Sequence, residues 1–484
     1  MDPEGGKLRF RKGRWIDGWD PENTVQWASE GRKVARKNLG FSIYAEFLGF
    51  VVWQLWSIVV TSLGKGWQGF SFTNSEQFWL ISLPSLVGAT LRFPYAWMVA
   101  KIGGRNWTIV SAALLLIPTI AMTWAISNHP IVDPVTGVAS GGTSFTTMAI
   151  VAALGGFGGG NFASSMANIT FFFPQREKGW ALGLNAAGGN IGAAVAQFTV
   201  PIIISLTAAH KLLDGKEVTI NNLPMAGWFW IPFIILAIFG AIFGMHNLSS
   251  AKSDSQGYIA ALKEPHMWLL SLLYIGTFGS FIGLAGAFPK LIADQFPEFS
   301  TIQIGAAGVG LAFLGPLTGS LVRPFGGKLA DKLGGAYVTV VAFIVMIGAT
   351  FAAISVLKNQ GGFWLFLLCF IILFAATGVG NGSMYKMIPT VFAYKAGQMD
   401  AHMKSAGIAT ERKTSAALGI VSAFGAYGGF LIPQVFNMAI KRKNDVIVEG
   451  YTLGLWWLFF AYIIFLIILV AFYVIPYFKK GTRV

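Results

Sequence analysis

Four charged residues lie inside long apolar stretches of the sequence, and each could bind or carry a charge. They are Glu46, Arg92, Arg323 and Lys386. A charged side chain at the centre of a membrane helix costs roughly 2.5–3.5 kcal/mol, so such residues usually belong to functional sites. The two arginines could bind an anion, and the carboxyl group could carry a proton.

Arg92 and Arg323 occupy matching places in the two halves of the chain, in Leu91-Arg92-Phe93-Pro94 and Val322-Arg323-Pro324-Phe325. A guanidinium stays charged and presents a planar fork of donors, which fits a planar oxyanion in two bonds. Two such groups facing one cavity repel each other unless an anion lies between them. The alternative is that each arginine reaches the membrane surface, or pairs with a carboxylate or with backbone carbonyls.

Glu46 and Lys386 are the candidates for proton coupling. A carboxyl group that is shielded from water can carry a proton, but Glu46 could instead form a salt bridge that locks the first helix to another. Lys386 could add positive charge to the same cavity, reach the membrane surface, or pair with Glu46. The five histidines lie in loops or near the ends of apolar stretches, which argues against a proton relay through histidine.

The composition identifies the kind of protein that must position these residues. The chain has 484 residues, of which 54% are hydrophobic and only 12% charged, about half the charged fraction of soluble domains. Apolar runs of about 20 residues recur along its length without alternating polarity, which predicts membrane-spanning helices and excludes a barrel. The single cysteine, Cys369, is expected to be a small core residue. The net charge of +14 is attributed to membrane topology rather than to nucleic-acid binding.

We therefore predict an all-α polytopic membrane protein with twelve transmembrane helices. The predicted spans are approximately 39–63, 75–100, 106–126, 145–173, 180–207, 226–247, 266–289, 303–324, 336–357, 363–392, 415–440 and 452–478. An even number puts both termini on one side, and the excess of Lys and Arg there makes that side the cytoplasmic face of the cell inner (plasma) membrane. The cluster Lys441-Arg442-Lys443 falls on the other side, against this rule.

The same reading divides the chain into five parts. They are a cytoplasmic tail (1–38), an N-terminal six-helix bundle (39–247), a cytoplasmic linker (248–265), a C-terminal six-helix bundle (266–478) and a cytoplasmic C-terminal tail (479–484). We expect the N-terminal tail to fold against the first helix through Trp15, Trp19 and Trp27.

The two halves share sequence features besides the arginines. Gly160-Asn161 in the fourth span matches Gly380-Asn381 in the tenth, and Gly103-Gly104 after the second matches Gly326-Gly327 after Arg323. Matching features in two halves indicate a site at the repeat interface near the bilayer midplane. They also indicate that the halves rock about this site in alternating access.

The glycine- and amide-rich helices resemble a known family. The stretch from Gly160 to Pro174, GNFASSMANITFFFP, resembles the nitrate signature of the nitrate/nitrite porters, and the segment 183–192 continues it. The stretch from Gly425 to Pro433 resembles the second signature, and 326–335 resembles an inside loop of the superfamily. The resemblance, to the NarK-type branch of the major facilitator superfamily, runs from about residue 39 to the C terminus. It implies two pseudo-symmetric six-helix bundles, the major facilitator fold.

The resemblance also implies roles for particular residues. Two arginines, here Arg92 and Arg323, would clamp nitrate between the rings of Phe157 and Phe278, although core packing alone could account for both rings. Tyr274 and Asn185 would donate hydrogen bonds to the anion. The glycines of the fifth and eleventh spans would let the helices slide and rock, or would serve simple close packing: Gly183, Gly189, Gly425, Gly428 and Gly429. The other residues singled out in the signature helices are Gly160, Asn161 and Asn168.

The expected function is secondary active transport of nitrate, with nitrite as a second substrate, across the lipid bilayer. As the resemblance has it, the exchanger branch lacks an acid at the place of Glu46, and many members carry an uncharged residue at the place of Lys386. We therefore expect nitrate/proton symport, with nitrate/nitrite antiport as the alternative and a non-transporting nitrate receptor as a further one. A different anion, such as phosphate or a small carboxylate, is another.

We expect a monomer without a cofactor, a metal site or a nucleic-acid partner. The sequence has no cluster of His, Cys and Asp with metal-ligand spacing and no pair of nucleophile and base. We therefore do not expect an enzyme.

Overall fold

The computed structural model describes residues 8–64, 69–132, 139–213, 216–251, 255–397 and 407–478. Within these residues, twelve long helical rods make up most of the molecule. The rods are α1 (Arg32–Leu63), α2 (Asn74–Ile102), α3 (Gly104–Ser127), α4 (Phe145–Leu154 and Gly156–Phe172), α5 (Gln175–Leu206), α6 (Ile231–Gly244), α7 (Pro265–Gln295), α8 (Leu314–Leu333), α9 (Gly335–Lys358), α10 (Phe363–Gly397), α11 (Gly407–Ala426 and Gly428–Arg442) and α12 (Ile447–Leu469).

In the described part of the chain, nine helices are long and apolar enough to cross a membrane by composition alone. The three rods that fall short are α2, α4 and α8. These are the rods that carry Arg92, the Gly- and Asn-rich stretch, and Arg323. Of the three, α4 is broken into two segments of 10 and 17 residues.

Most helix bounds lie close to the predicted spans, with two clear differences. The eighth helix begins at Leu314 rather than near 303, because residues 302–309 form a hairpin whose turn uses Gly305 at φ +62°. The first helix begins at Arg32, inside the predicted tail. A short turn capped by Asn23, which accepts hydrogen bonds from two following backbone N–H groups, leads into it. A polar side chain of this kind starts a helix by satisfying its free N–H groups.

Two glycines reveal the internal repeat more clearly than the sequence did. Gly103 ends α2 at φ +94°, and Gly334 ends α8 at φ +93°. Both conformations are strained for other residues, and the two glycines follow their arginines at equal spacing. Gly334-Gly335 is therefore the counterpart of Gly103-Gly104. The predicted match to Gly326-Gly327 is wrong, because those residues lie inside α8.

Short strands lie at both ends of the two helix bundles. They are β1 (Arg9–Arg11), β2 (Trp15–Asp17), β3 (Ile131–Val132), β4 (Ala139–Ser140), β5 (Ala209–Leu213), β6 (Lys216–Ile220), β7 (Asn247–Leu248), β8 (Ile302–Ile304) and β9 (Ala307–Val309). β1 and β2 form an antiparallel hairpin, and β2 pairs in parallel with β7. We call the membrane side of this sheet the tail side. The other three hairpins lie on the opposite, far side, in the loops that follow α3, α5 and α7.

The N-terminal tail rests on the end of α4 rather than on the first helix alone. The ring of Trp19 packs against Phe172 at 5.4 Å, and its Nε1 donates to the backbone oxygen of Phe171 at 3.1 Å. Trp27 packs against Phe173 and donates to Glu177 Oε1 at 3.1 Å. Two of the three tryptophans predicted to anchor the tail therefore hold it on the tail-side end of the signature helix.

The sheet also closes over the end of α6. Arg14 donates through Nε to the backbone oxygen of Met245 at 2.9 Å, and its Nη2 lies 3.2 Å from His246 Nε2. Burial, together with the nearby positive charges of Arg14, Lys37 and Arg105, lowers the pKa of His246 to about 4. The imidazole is therefore neutral in the folded protein near pH 7, and it can accept a hydrogen bond from Arg14.

Candidate functional site

Arg92 and Arg323 come from opposite halves and meet at one place. Arg92 on α2 is 1% exposed and Arg323 on α8 is 4% exposed. The guanidinium carbon of Arg92 lies 4.5 Å from the ring centroid of Phe162 and 5.1 Å from that of Phe278. That of Arg323 lies 5.8 and 5.9 Å from the same two rings. Two buried positive charges thus share one pair of aromatic faces.

The hydrogen bonds of the arginines leave a buried Nη group free on each. Arg92 donates through Nη1 to Ser422 Oγ (2.7 Å) and to the Ser422 backbone oxygen (2.8 Å), and through Nε to the Gly159 oxygen (3.2 Å). Arg323 donates through Nη2 to Tyr274 Oη at 3.4 Å. Among the described residues, Arg92 Nη2 and Arg323 Nη1 have no hydrogen-bond partner. Buried donors of this kind require an acceptor.

In the described part of the chain, no salt bridge involves either arginine. The predicted alternative, in which each arginine pairs with an acid or reaches the membrane surface, therefore does not describe this structure. Partial pairing with backbone carbonyls does occur, at Ser422 and Gly159.

A stack of aromatic rings forms the floor of the site. Phe162 and Phe278 stack at 5.9 Å with an interplanar angle of 29°, and Phe278 stacks on Tyr274 at 5.4 Å and 16°. Tyr385 closes the Arg323 side, at 5.7 Å from its guanidinium carbon. Phe278 and Tyr274 are both fully buried.

Phe157 is not the partner ring of Phe278. That position belongs to Phe162, which is 1% exposed, whereas Phe157 is partly exposed. The reason is the break in α4 at Gly155, after which the second segment begins at Gly156. Phe157 lies in the first turn of this segment, and Phe162 lies more than one turn deeper, at the level of Arg92.

Glu46 forms a second polar cluster beside the arginines. It is fully buried on α1. Ser165 Oγ donates to Glu46 Oε2, and Asn185 Nδ2 donates to the same oxygen at 2.7 Å. Both arginines are close enough to interact electrostatically with the carboxyl group. Asn185 therefore belongs to the Glu46 cluster in this structure, where it was expected to contact the anion, and Glu46 Oε1 has no partner among the described residues.

Lys386 lies outside both clusters. Its side chain is 42% exposed, and its Nζ lies 2.9 Å from Asp331 Oδ1. The neighbouring Tyr385 contacts Arg323 at the site, whereas the partner of Lys386 lies near the tail-side end of α8. The expectation that Lys386 adds charge to the cavity or pairs with Glu46 is wrong.

Small residues bring the signature helices together around these clusters. A Cβ atom on Gly189 would collide with Glu46 Oε1, and one on Gly428 would collide with the backbone of Gly279. Glycine is thus required where α5 meets α1 and where α11 meets α7. Added Cβ atoms elsewhere would meet the Tyr95 ring (from Gly160), Tyr274 (from Gly425), and Ser85 and Ile282 (from Gly429), whereas Gly183 has no neighbour within 4 Å.

Comparison with known proteins shows the family to which this chain belongs. A family profile described as Major Facilitator Superfamily matches residues 45–433. The "Nitrate/nitrite transporter NarU" of Salmonella typhimurium is 39% identical over 445 residues, covering 89% of this chain and 91% of the relative. The "Probable nitrate/nitrite antiporter NarK2" of Thermus thermophilus is 32% identical over 437 residues, covering 88% and 89%. The chain belongs to the nitrate/nitrite porter family of the Major Facilitator Superfamily.

Solved structures support the fold alone. The xylose transporter XylE of E. coli, in a partially occluded inward-open conformation, has a TM-score of 0.62 at 12% identity, covering 91% of this chain and 98% of that one. A bacterial homologue of the lysosomal transporter Spinster has a TM-score of 0.60 at 16% identity, covering 92% and 98%. Together with the family match over residues 45–433, these folds confirm the predicted major facilitator fold. The family match and the relatives named as transporters bear out the prediction that the protein is not an enzyme.

Within this porter, several site residues escaped the sequence reasoning. Phe162 lies within the nitrate signature. Its depth in the fourth helix, which matches that of Arg92 in the second, could have favoured it over Phe157. Ser165 also lies in that signature, whereas Ser422 gave no signal, because a serine in an apolar helix is common. Their roles follow only from which helices pack together.

The porter also carries paired buried amides in its two halves. Asn161 on α4 is 3% exposed and Asn381 on α10 is 1% exposed. Neither side chain has a hydrogen-bond partner among the described residues, and Asn168 Nδ2 lacks one too. The matching Gly-Asn motifs thus place one buried amide without a hydrogen-bond partner among the described residues in each half.

Proposed function

We propose that this protein is a secondary active transporter of nitrate and nitrite that works by rocker-switch alternating access. The observation that carries the proposal is the meeting of Arg92 and Arg323, from opposite halves, each with one unpaired Nη group above the Phe162–Phe278 pair. One planar anion with delocalised charge can accept from both forks at once. The printed names of the relatives NarU and NarK2 support nitrate and nitrite as the anions.

Each part of the site has a separate task in this mechanism. The guanidiniums bind the charge of the anion, the rings of Phe162 and Phe278 offer flat apolar faces, and Tyr274 donates or accepts at the edge beside Arg323. Because like charges repel, an anion between the arginines favours the approach of the two halves at the site when Glu46 is neutral. With a neutral Glu46 the anion is therefore the trigger for closure, and the unloaded site resists it.

Ser422 couples the clamp to the opposite half. It lies on α11 and accepts two hydrogen bonds from Nη1 of Arg92 on α2. This contact crosses the plane between the bundles at the level of the site. It orients the guanidinium so that Nη2 remains available for the anion, and it must break when the halves separate on the tail side.

We further propose that Glu46 carries a proton that moves together with nitrate. The carboxyl group is buried and held by Ser165 and Asn185, without a salt bridge among the described residues. It lies within electrostatic range of both arginines, so its charge state influences how strongly the site attracts an anion. Nitrate/nitrite antiport is the alternative, and in that case Glu46 serves only to orient Asn185 and Ser165.

The orientation in the membrane is also a proposal. Lys and Arg are concentrated in the tail and the tail-side turns, which favours the tail side as the cytoplasmic one and the cell inner membrane as the location. The moving parts are residues 39–247 and 266–478, joined by 248–265. A short helix, Ser255–Leu262, lies in this connection.

The test uses purified protein in liposomes that contain a pH-sensitive dye and no nitrite, with the membrane potential clamped. Nitrate is added outside. Interior acidification together with uptake of labelled nitrate is the expected result of symport. Uptake that begins only when nitrite is placed inside means antiport. No uptake under either condition, or displacement of labelled nitrate by phosphate, contradicts the proposed substrate.

A further inference from the structure

A buried lysine joins the two bundles on the far side, well away from the arginine site. Lys290 on α7 is 2% exposed. Its Nζ donates to Asn74 Oδ1 at 3.0 Å and to Gln77 Oε1 at 2.9 Å, both on α2 of the other bundle. It also pairs with Asp294 Oδ2 at 2.9 Å, one turn along its own helix. The three donors of the ammonium group thus have three acceptors.

We propose that Lys290 is the gate residue of the far side: its ammonium group holds the two bundles together there and must leave Asn74 and Gln77 before the site can open to that side. Two of its three acceptors belong to the opposite bundle. A buried ammonium that loses them without replacement is strongly disfavoured. Opening therefore requires water to enter as the bundles part, which favours the closed far side.

Both surfaces of this contact are held in place before they meet. On the C-terminal bundle, Tyr451 of α12 donates to Asp294 Oδ2 at 2.8 Å, which fixes the carboxylate. On the N-terminal bundle, Gln77 Nε2 donates to the Phe72 oxygen at 2.8 Å, so its Oε1 points at Lys290. The hydrogen bonds between the two bundles are therefore the ones in this network that break most easily.

The contact is part of a continuous far-side seal. Gln434 on α11 donates to Ser82 on α2 at 2.7 Å, and Gln197 on α5 donates to the Ala285 oxygen on α7 at 2.7 Å. Lys290 is the only charged group among these cross-bundle donors in the described residues, and hydrogen bonds from a charged group are the stronger ones. Loss of Lys290 should thus weaken the seal more than loss of either amide.

A cavity beside this seal offers a reporter for gate opening. It has a volume of about 190 Å³ and lies between the bundles, lined by Ser62 of α1, Gln197 of α5 and Pro289, the neighbour of Lys290, among others. A cysteine at Ser62 can be made the single cysteine of the chain by Cys369→Ala. Because Ser62 is partly exposed in this structure, a bulky, membrane-impermeant maleimide will then react at a baseline rate that increases as the far side opens more often.

The experiment compares labelling rates of Ser62→Cys in purified protein that carries Lys290→Met, or Asn74→Ala with Gln77→Leu, or Lys358→Met. Lys358 is the matched control, because it lies at the far-side end of α9 in the same bundle and is exposed. We expect labelling about tenfold faster or more for the first two variants, since each lost bond to a charged group shifts the equilibrium by about that factor. Lys358→Met should label like the parent.

The double variant on α2 keeps the Lys290–Asp294 pair intact within its own bundle, so it tests the gate even if Lys290→Met folds poorly. Equal labelling rates in the parent and the double variant would overturn the proposal. The inference rests on alternating access but not on nitrate as the substrate. No anion is needed for labelling, so a failed gate and a failed nitrate assignment give different results.

Discussion

Replacing Arg92 with lysine keeps the positive charge and removes the planar fork. In the structure this guanidinium makes three hydrogen bonds, to Ser422 Oγ, the Ser422 oxygen and the Gly159 oxygen, and keeps Nη2 free. An ammonium group has three donors at a single point. It cannot satisfy acceptors on two helices and also bind an anion in the plane between them.

The magnitude follows from the bonds that are lost. At least one bond to the anion and one to a buried backbone oxygen disappear, each worth roughly 1.5–3 kcal/mol because a charged donor is involved. The smaller sum, about 3 kcal/mol, corresponds to a loss of roughly 100-fold or more in kcat/KM for nitrate. The more exposed the new ammonium becomes to water, the smaller this loss will be.

The assay is initial-rate uptake of labelled nitrate into liposomes at several concentrations. Arg442→Lys is the matched control, because Arg442 is exposed at the end of α11. Ser422→Ala gives an intermediate case, since it removes one of the three bonds and leaves the backbone acceptor in place. Thermal unfolding in detergent shows whether each variant is folded. A folded Arg92→Lys protein whose kcat/KM stays within threefold of the parent would refute the argument from fork geometry.

Three other perturbations have clear expected outcomes. Glu46→Gln should abolish nitrate-driven acidification and leave nitrate/nitrite exchange measurable; persistence of acidification would remove Glu46 from the proton path. Phe162→Leu should lower nitrate uptake about tenfold, because a cation–π face under both arginines is lost, whereas Phe157→Leu should lower it less than twofold; the reverse order would restore Phe157 to the site. The neutral His246 has its pKa lowered to about 4, so its contribution to tail docking is present above about pH 6.5 and is lost as the pH falls toward 4. Proteolysis of the tail should therefore accelerate on acidification, and His246→Leu should flatten this dependence.

The sequence predicted the parts of the site that depend on composition and repetition. A charge in an apolar helix is rare enough to mark a function, and its recurrence in both halves led to Arg92 and Arg323 as a pair. The family resemblance then led to Tyr274 and Phe278. These predictions required only the identity of each residue and its approximate depth in a helix.

The sequence could not predict which face of a helix each residue occupies. Phe157 and Phe162 lie in one helix, and the break at Gly155 decides which ring reaches Arg92. Lys386 was read as a membrane charge because the predicted span included it, but helix rotation turns it to Asp331. Lys290 was missed for the opposite reason, since the predicted seventh span stopped at 289 and the helix continues to Gln295.

The net charge of the arginine site bears on whether nitrate moves with a proton or in exchange for nitrite. Arg92, Arg323 and an ionised Glu46 give the empty site a net charge of about one positive unit, and binding of one nitrate alone makes it neutral. If a proton enters with nitrate, the net charge is the same in the empty and the loaded site. When Glu46 is ionised, the charge repulsion between the two halves is therefore no greater in the empty site than in the loaded one. The empty carrier can then change conformation and return without an anion. Without the carboxylate the empty site holds two unopposed positive charges, so only an anion-loaded carrier can close. This reasoning predicts that Glu46 is what permits net uptake, and that removing its charge converts the porter into an obligate exchanger.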